Sequence, residues 1–175
     1  MLSMAAEVSH AAARAFAQLT GEWRLVRTFE PGIGTFTGTA TFTPVAAELL
    51  HYREDGELAL AGGHRGAAWR EYHYRLVGAE IHVCFVEDGT FGRVLHRLRP
   101  APGASTDVHL CVADTYTGRY DLDGLPDRFT VDELATVTAG MRAVLEPYLG
   151  RLDDPGRRPA DARPVTVLQV AIPVP

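Results

Sequence analysis

The plainest regularity in the chain is a two-residue alternation. In "TFTGTATFT" the threonines Thr35, Thr37, Thr39, Thr41 and Thr43 line one face, and Phe36, Gly38, Ala40 and Phe42 line the other. "EWRLVRTFE" likewise sets Trp23, Leu25, Arg27 and Phe29 against Glu22, Arg24, Val26 and Thr28. Period two, with threonine and aromatic residues, is what a half-buried strand requires. The pattern continues through "ELLHYRE", "ELALA", "AAWREYHYRL", "EIHVCFVE", "TFGRVLHRLR" and "TDVHLCVADTY". Turns separate these runs at "EDG" 54–56, "AGGHRG", "VGAE", "EDG" 87–89 and "PAPGAST". About eight strands joined by hairpin-length loops predict an antiparallel meander. A meander of that size closes into a barrel, because closure removes its exposed edges. No long helix interrupts the run, which argues against a parallel sheet.

The period changes at both ends. Val8, Ala12, Phe16 and Leu19 predict a helix near residues 5–18. After Tyr120, Thr130 and Glu133 stand at capping-box spacing, and Leu134, Val137, Met141, Val144, Leu145 and Tyr148 form a stripe. They predict a helix over 130–149, with Gly140 weakening it and Pro147 near its end. "RLDDPGRRPADARP" reads as a loop, and 164–174 as a last strand that lies under the helix or closes the sheet. The fold expected is mainly β. It is one domain over 1–175, an antiparallel barrel with its meander at 22–122, an N-terminal helix and a C-terminal helix packed on it.

Composition narrows the chemistry. The chain has 46% hydrophobic and 22% charged residues, ordinary for a soluble globular protein. A net charge of −5 gives no footprint for nucleic acid. No apolar run approaches a membrane span, and the N-terminus lacks the pattern of a signal peptide, so a cytoplasmic setting is expected. All 17 basic residues are arginine, so Schiff-base chemistry on lysine is absent. No P-loop lysine or glycine-rich phosphate motif appears either.

Histidine and cysteine recur together in "IHVC" (81–84) and "VHLC" (108–111). A zinc site needs ligand atoms within about 4 Å of one another. In a meander the strand at 91–99 lies between these two, which puts their backbones about 9–10 Å apart. There is no Cys-x-x-Cys, so no metal is expected. His109 and Cys111, two apart on one strand, stand about 6–7 Å from each other, too far for a thiolate–imidazole pair. Both cysteines read as packing residues. His51, His73, His82 and His96 alternate out of phase with the apolar positions and are expected at the solvent side or under the terminal helices.

A more informative set is the polar residues on faces that a barrel buries. Arg27 shares a face with Trp23, Leu25 and Phe29. Tyr52 and Glu54 alternate with Leu50, and Arg70, Tyr72 and Tyr74 share another face. Each buried charge there needs a partner. An internal Arg–carboxylate bridge satisfied by tyrosine hydroxyls is one reading. Convergence on a small ligand is the other.

"GEWRL" is similar to the glycine-x-tryptophan start of lipocalins and other calycin barrels. Over about residues 19–120, "LTGEWRLVR", "TFTGTATFTP", "LHYREDGELAL", "REYHYRL", "VCFVEDGTF" and "VHLCVADTYTGRY" resemble a family of calycin-like bacterial domains of unknown function. The most specific piece is His-x-Cys-x-x-Asp-x-Tyr, on His109, Cys111, Asp114 and Tyr116. The resemblance implies a barrel with a pocket and favours His109 as inward-facing; the C-terminal part departs from the family.

Together these readings predict an elongated, largely apolar cavity of a few hundred cubic ångströms with a few polar groups at one end, expected of enzyme and carrier alike, whereas a barrel filled by side chains would favour a structural domain. The leading expectation is a cofactor-independent cyclase, isomerase or lyase acting on a hydrophobic metabolite, as in natural-product biosynthesis, by acid–base catalysis. His109, Asp114, Tyr116 and Tyr74 would be its catalytic groups. Trp23, Arg27, Tyr52, Glu54, Arg70, Tyr72 and Phe85 would line the pocket, with Arg27 or Arg70 meeting an oxyanion or carboxylate. The alternative is a non-catalytic, lipocalin-like carrier for a hydrophobic ligand. A third is an interaction domain that forms a homodimer through its helix. The only partner expected of the first two is a small molecule, with no nucleic acid and no membrane.

Overall fold

A computed structural model describes residues 4–30, 32–87, 90–100, 103–111, 114–136 and 164–175. Among these residues, one helix, α1 (Met4–Leu19), precedes ten strands: β1 (Gly21–Glu30), β2 (Gly34–Ala46), β3 (Leu49–Leu60), β4 (Arg65–Val77), β5 (Glu80–Glu87), β6 (Thr90–Leu98), β7 (Ser105–Cys111), β8 (Asp114–Asp121), β9 (Phe129–Thr136) and β10 (Pro164–Pro173). All pairings are antiparallel. The sheet order is β6-β5-β4-β3-β2-β1-β10-β9-β8-β7, so β10 joins the first strand to the last ones. The result is a nearly closed barrel with its seam between β6 and β7. There, side chains of β7 take the place of strand carbonyls. The Arg97 amide donates to Asp107 Oδ2 at 2.6 Å and the Arg99 amide to Ser105 Oγ at 2.9 Å.

The helix packs Ala12, Ala15, Phe16 and Leu19 into the core against β4 and β5. Full burial of a side chain such as Phe16 or Leu19 contributes about 1.5–3 kcal/mol. Gly21, at φ 124°, turns the chain out of α1 into β1 in a conformation that favours glycine. The Trp23 indole then donates to the Leu19 carbonyl at 2.7 Å and locks the helix onto its end of the barrel. The 47–48, 78–79 and 122–128 connections lie at this helical end. The turns at 32–33 and 61–64 lie at the other, where the Ala61 amide donates to the Ile33 carbonyl at 2.9 Å.

Three sequence expectations change. The expected helix at 130–149 is a strand over Phe129–Thr136, paired with β8 and β10; residues 137–149 lie outside the described part. Phe129 and Val131 are buried while Thr130 and Asp132 are not, so period two governs where the capping-box spacing suggested a helix. Second, the expected turn at 54–56 runs straight through β3. Gly56 faces Gly38 on β2, and the two bare backbones approach so closely that a Cβ on either would meet a carbonyl oxygen at 2.3 Å.

Third, "TDVHLCVADTY" is two strands, not one. His109 is the register partner of Tyr116, and Cys111 of Asp114. The His-x-Cys-x-x-Asp-x-Tyr motif therefore spans a hairpin.

Candidate functional site

The barrel interior is charged at its centre. Arg27 and Glu54 are 4% and 1% exposed, and they meet through two parallel hydrogen bonds, Nη1 to Oε1 at 3.0 Å and Nη2 to Oε2 at 2.7 Å. Tyr52, two residues from Glu54 on the same inward face of β3, donates its hydroxyl to Oε2 at 2.6 Å. Arg70 stands directly opposite Glu54 across the β3–β4 pair and forms an ion pair with Oε1 through Nε. Gln169 stands opposite Arg27 across the β1–β10 pair, and its amide oxygen accepts from Arg27 Nε at 3.1 Å and from Nη2. Arg70 Nη2 reaches the same oxygen at 3.5 Å.

Two glycines shape the wall beside this cluster. Gly38 and Gly56 pack backbone to backbone, and the absence of a Cβ lets the Phe36 ring lie over Gly56. The Arg27 guanidinium lies over that ring at 5.0 Å from its centre. Burial alone would raise the Glu54 carboxyl, but the charges of Arg70 and Arg27 outweigh it and hold the group below its ordinary value. Tyr52 and Tyr74 are both pushed up, chiefly by burial, and so remain neutral phenols.

Burial is uneven along the inner wall. On β1, Trp23, Leu25 and Arg27 are buried and Phe29 is half-buried. On β4, Tyr74 is buried, and Tyr72, Arg70 and Ala68 are half-buried. On β5, Ile81 and Val83 are buried and Phe85 is half-buried. In each strand the change runs away from α1. The Arg70 side chain is 36% exposed although it faces inward beside the buried Glu54. Its guanidinium lies over the Tyr72 ring at 5.3 Å. Tyr72 and Phe85 are 6.0 Å apart, and His109 on β7 meets Phe85 edge-on at 5.6 Å.

The cavity expectation is corrected. Among the described residues, an interior space bordered by Tyr52, Arg70, Tyr72, Tyr74, Tyr120 and Gln169 measures about 20 Å³, room for one water. Phe42, Tyr52 and Tyr74, with ring centres 4.7 and 5.0 Å from Phe42, fill the helical end instead. A larger concavity of about 460 Å³ lies outside the barrel, between α1 (Ala11, Arg14, Gln18) and Leu122 to Leu125.

Of the residues expected in the pocket, Arg27, Tyr52, Glu54, Arg70 and Tyr72 come together, and Phe85 and His109 adjoin them. Trp23 lies in the packed helical end, where it meets Phe129 at 4.9 Å, while Tyr74 packs on Phe42 there and also borders the small interior space beside Tyr72. The side chains of Asp114, Tyr116 and Cys111 lie outside the described part. Cys84 is buried, as packing required, and burial raises its thiol.

His96 is a correction. It is 0% exposed and its Nδ1 lies 2.8 Å from the Tyr120 hydroxyl. The β5–β6 register skips from Val83↔His96 to Cys84↔Val94, and this bulge buries Leu95 and His96 in succession. Gln169 was missed, yet "VTVLQVAIPV" carried its signal as the one amide in a strand that is apolar but for Thr166. Among the described residues, no group of three or more His, Cys, Asp or Glu is placed to hold a metal. No helix there is long and apolar enough to cross a membrane.

A family model described as a family of unknown function, DUF6314, matches residues 19–136. Among solved structures, the S-type phycobiliprotein lyase CPES from Guillardia theta superposes with a TM-score of 0.59 at 9% identity, covering 99% of each chain. EF1p2_mFAP2b bound to DFHBI gives 0.47 at 16% identity, over 93% of this chain and 99% of that one. The redesigned β-barrel mFAP1 bound to DFHBI gives 0.43 at 14%, over 91% and 98%. At these identities the likeness is one of fold. No curated protein matches.

Proposed function

The chain belongs to the family of unknown function DUF6314, and we propose that its barrel receives a hydrophobic small molecule in the half of the lumen away from α1. The loss of burial along β1, β4 and β5 carries this reading. Phe29, Ala68, Tyr72 and Phe85 face inward, yet remain half-buried around a charged floor. Apolar surface left in contact with water costs about 25 cal/mol per Å², and an apolar occupant recovers it. Aromatic walls with a few convergent polar groups are the usual composition of a small-molecule site. The fold shared with a protein named as a phycobiliprotein lyase is in keeping with such a use.

The neutral fluorophore N-phenyl-1-naphthylamine tests the reading. Its emission should rise on mixing with the protein. Ala68→Trp, which fills the open half, should abolish the rise, and Gln18→Trp on the outer concavity should not. No rise, or a rise indifferent to Ala68→Trp, contradicts the proposal.

A finer reading, cofactor-independent cyclase, isomerase or lyase chemistry on a hydrophobic metabolite, rests on His109 beside Phe85. Its imidazole would transfer the proton, with Asp114 and Tyr116 across the hairpin as partners. Tyr74, its phenol raised by burial, would serve as a hydrogen-bond donor. Chromatography and mass spectrometry of what copurifies test this. A catalyst and its His109→Ala variant should carry different occupants, and identical ones argue for a carrier.

A further inference from the structure

We propose that the molecule received by the barrel bears an acidic group, a carboxylate or an equivalent oxyanion, and that Arg70 meets it. The inference rests on the receptor reading above and specifies its ligand class.

The central network has one member that can change partners. Arg27, Glu54 and Gln169 are 4%, 1% and 3% exposed and sealed inside the wall. The Arg70 side chain, in the same network, is 36% exposed. The acceptor oxygens of this network are already used. Glu54 Oε1 takes Arg27 Nη1 and Arg70 Nε, and Oε2 takes Arg27 Nη2 and the Tyr52 hydroxyl. Gln169 Oε1 takes Arg27 and, at 3.5 Å, Arg70. When Arg70 turns to an incoming anion, Glu54 keeps its two bonds from Arg27 and the one from Tyr52. The exchange therefore leaves Glu54 paired, and avoids the stranded carboxylate that makes breaking a buried ion pair costly.

The surroundings select the ligand's charge. An occupant of the open half covers Arg70, and covering a cation is unfavourable unless an opposite charge comes with the cover. An alcohol or hydrocarbon leaves that cost in place, and an amine adds repulsion from Arg70 and Arg27. An acid supplies two oxygens to a planar fork already positioned over the Tyr72 ring. The half-buried Phe29, Ala68 and Phe85 then face its apolar part. The ligand class is a hydrophobic carboxylic acid, of aliphatic or arylalkyl type.

Displacement of N-phenyl-1-naphthylamine by matched twelve-carbon compounds tests this on the unaltered protein. Dodecanoate should compete at least about tenfold more tightly than dodecanol, and dodecylamine more weakly than either. Arg70→Gln should bring acid and alcohol to parity, and Arg70→Lys should keep part of the preference. Equal competition by dodecanol overturns the acid class and leaves the receptor standing. An acid preference that survives Arg70→Gln overturns the assignment to Arg70. If the fluorophore does not bind at all, the receptor reading fails and takes this one with it.

Discussion

Gln169 faces Arg27 directly across the β1–β10 pair, and its amide oxygen accepts from Arg27 Nε at 3.1 Å. The strand that closes the barrel thus completes the coordination of its buried cation. Gln169→Leu removes that acceptor and leaves a charged donor short of a partner. It should cost about 1–3 kcal/mol, read as a lowered midpoint in urea unfolding.

Glu54 is the centre of the same network. Glu54→Leu leaves two guanidiniums without their shared carboxylate and should destabilise by about 3–5 kcal/mol. Removing Arg27 as well, in Arg27→Met/Glu54→Leu, should recover part of that loss, because one cation goes with its anion. A double-mutant cycle by urea unfolding measures the coupling, and strict additivity would show that the pair does not act as a unit.

Acid should weaken the fold in two steps. His73, lowered by burial and by neighbouring His51, binds its proton more readily when unfolded. Its contribution is complete above the ordinary 6.5 and is lost as pH falls from there toward its depressed folded value. Glu54 is also lowered in the fold, so its contribution is present above the ordinary 4.5 and is lost as pH falls below that value. Thermal unfolding followed across this range should show both declines, and His73→Gln should flatten only the first.

Gly38 and Gly56 are packing requirements. A Cβ at Gly38 would stand 2.3 Å from the Asp55 carbonyl oxygen, and one at Gly56 would stand 2.3 Å from that of Thr37. Neither contact is with a side chain that can move aside. Either glycine to alanine should cost about 1–3 kcal/mol by overpacking, measured by calorimetry. A neutral effect at both would show that the two strands part there easily.

The strands were legible wherever the alternation was unbroken, as in β1, β2 and β4, and with them the shared inward face of Arg70, Tyr72 and Tyr74. Legibility failed where one residue carried two meanings. "EDG" at 54–56 reads as a turn, but Gly56 there allows close strand approach. Thr130 and Glu133 read as a helix start, though Phe129 and Val131 obey period two. His96 changed faces through a bulge in the β5–β6 pairing, which no pattern within β6 alone reveals. The Arg27–Glu54 bridge was foreseeable as a type of contact. Its completion by Gln169, 142 residues away from Arg27, required knowing that the last strand pairs with the first.

Photo-crosslinking locates a bound hydrophobic molecule on the chain. Neutral benzophenone irradiated with the protein and mapped by peptide mass spectrometry should attach within β3, β4 and β5, around Leu58, Ala68, Tyr72 and Phe85. Attachment confined to α1 and the 122–125 segment, at the concavity outside the barrel, would place the molecule outside the lumen and overturn the proposed site.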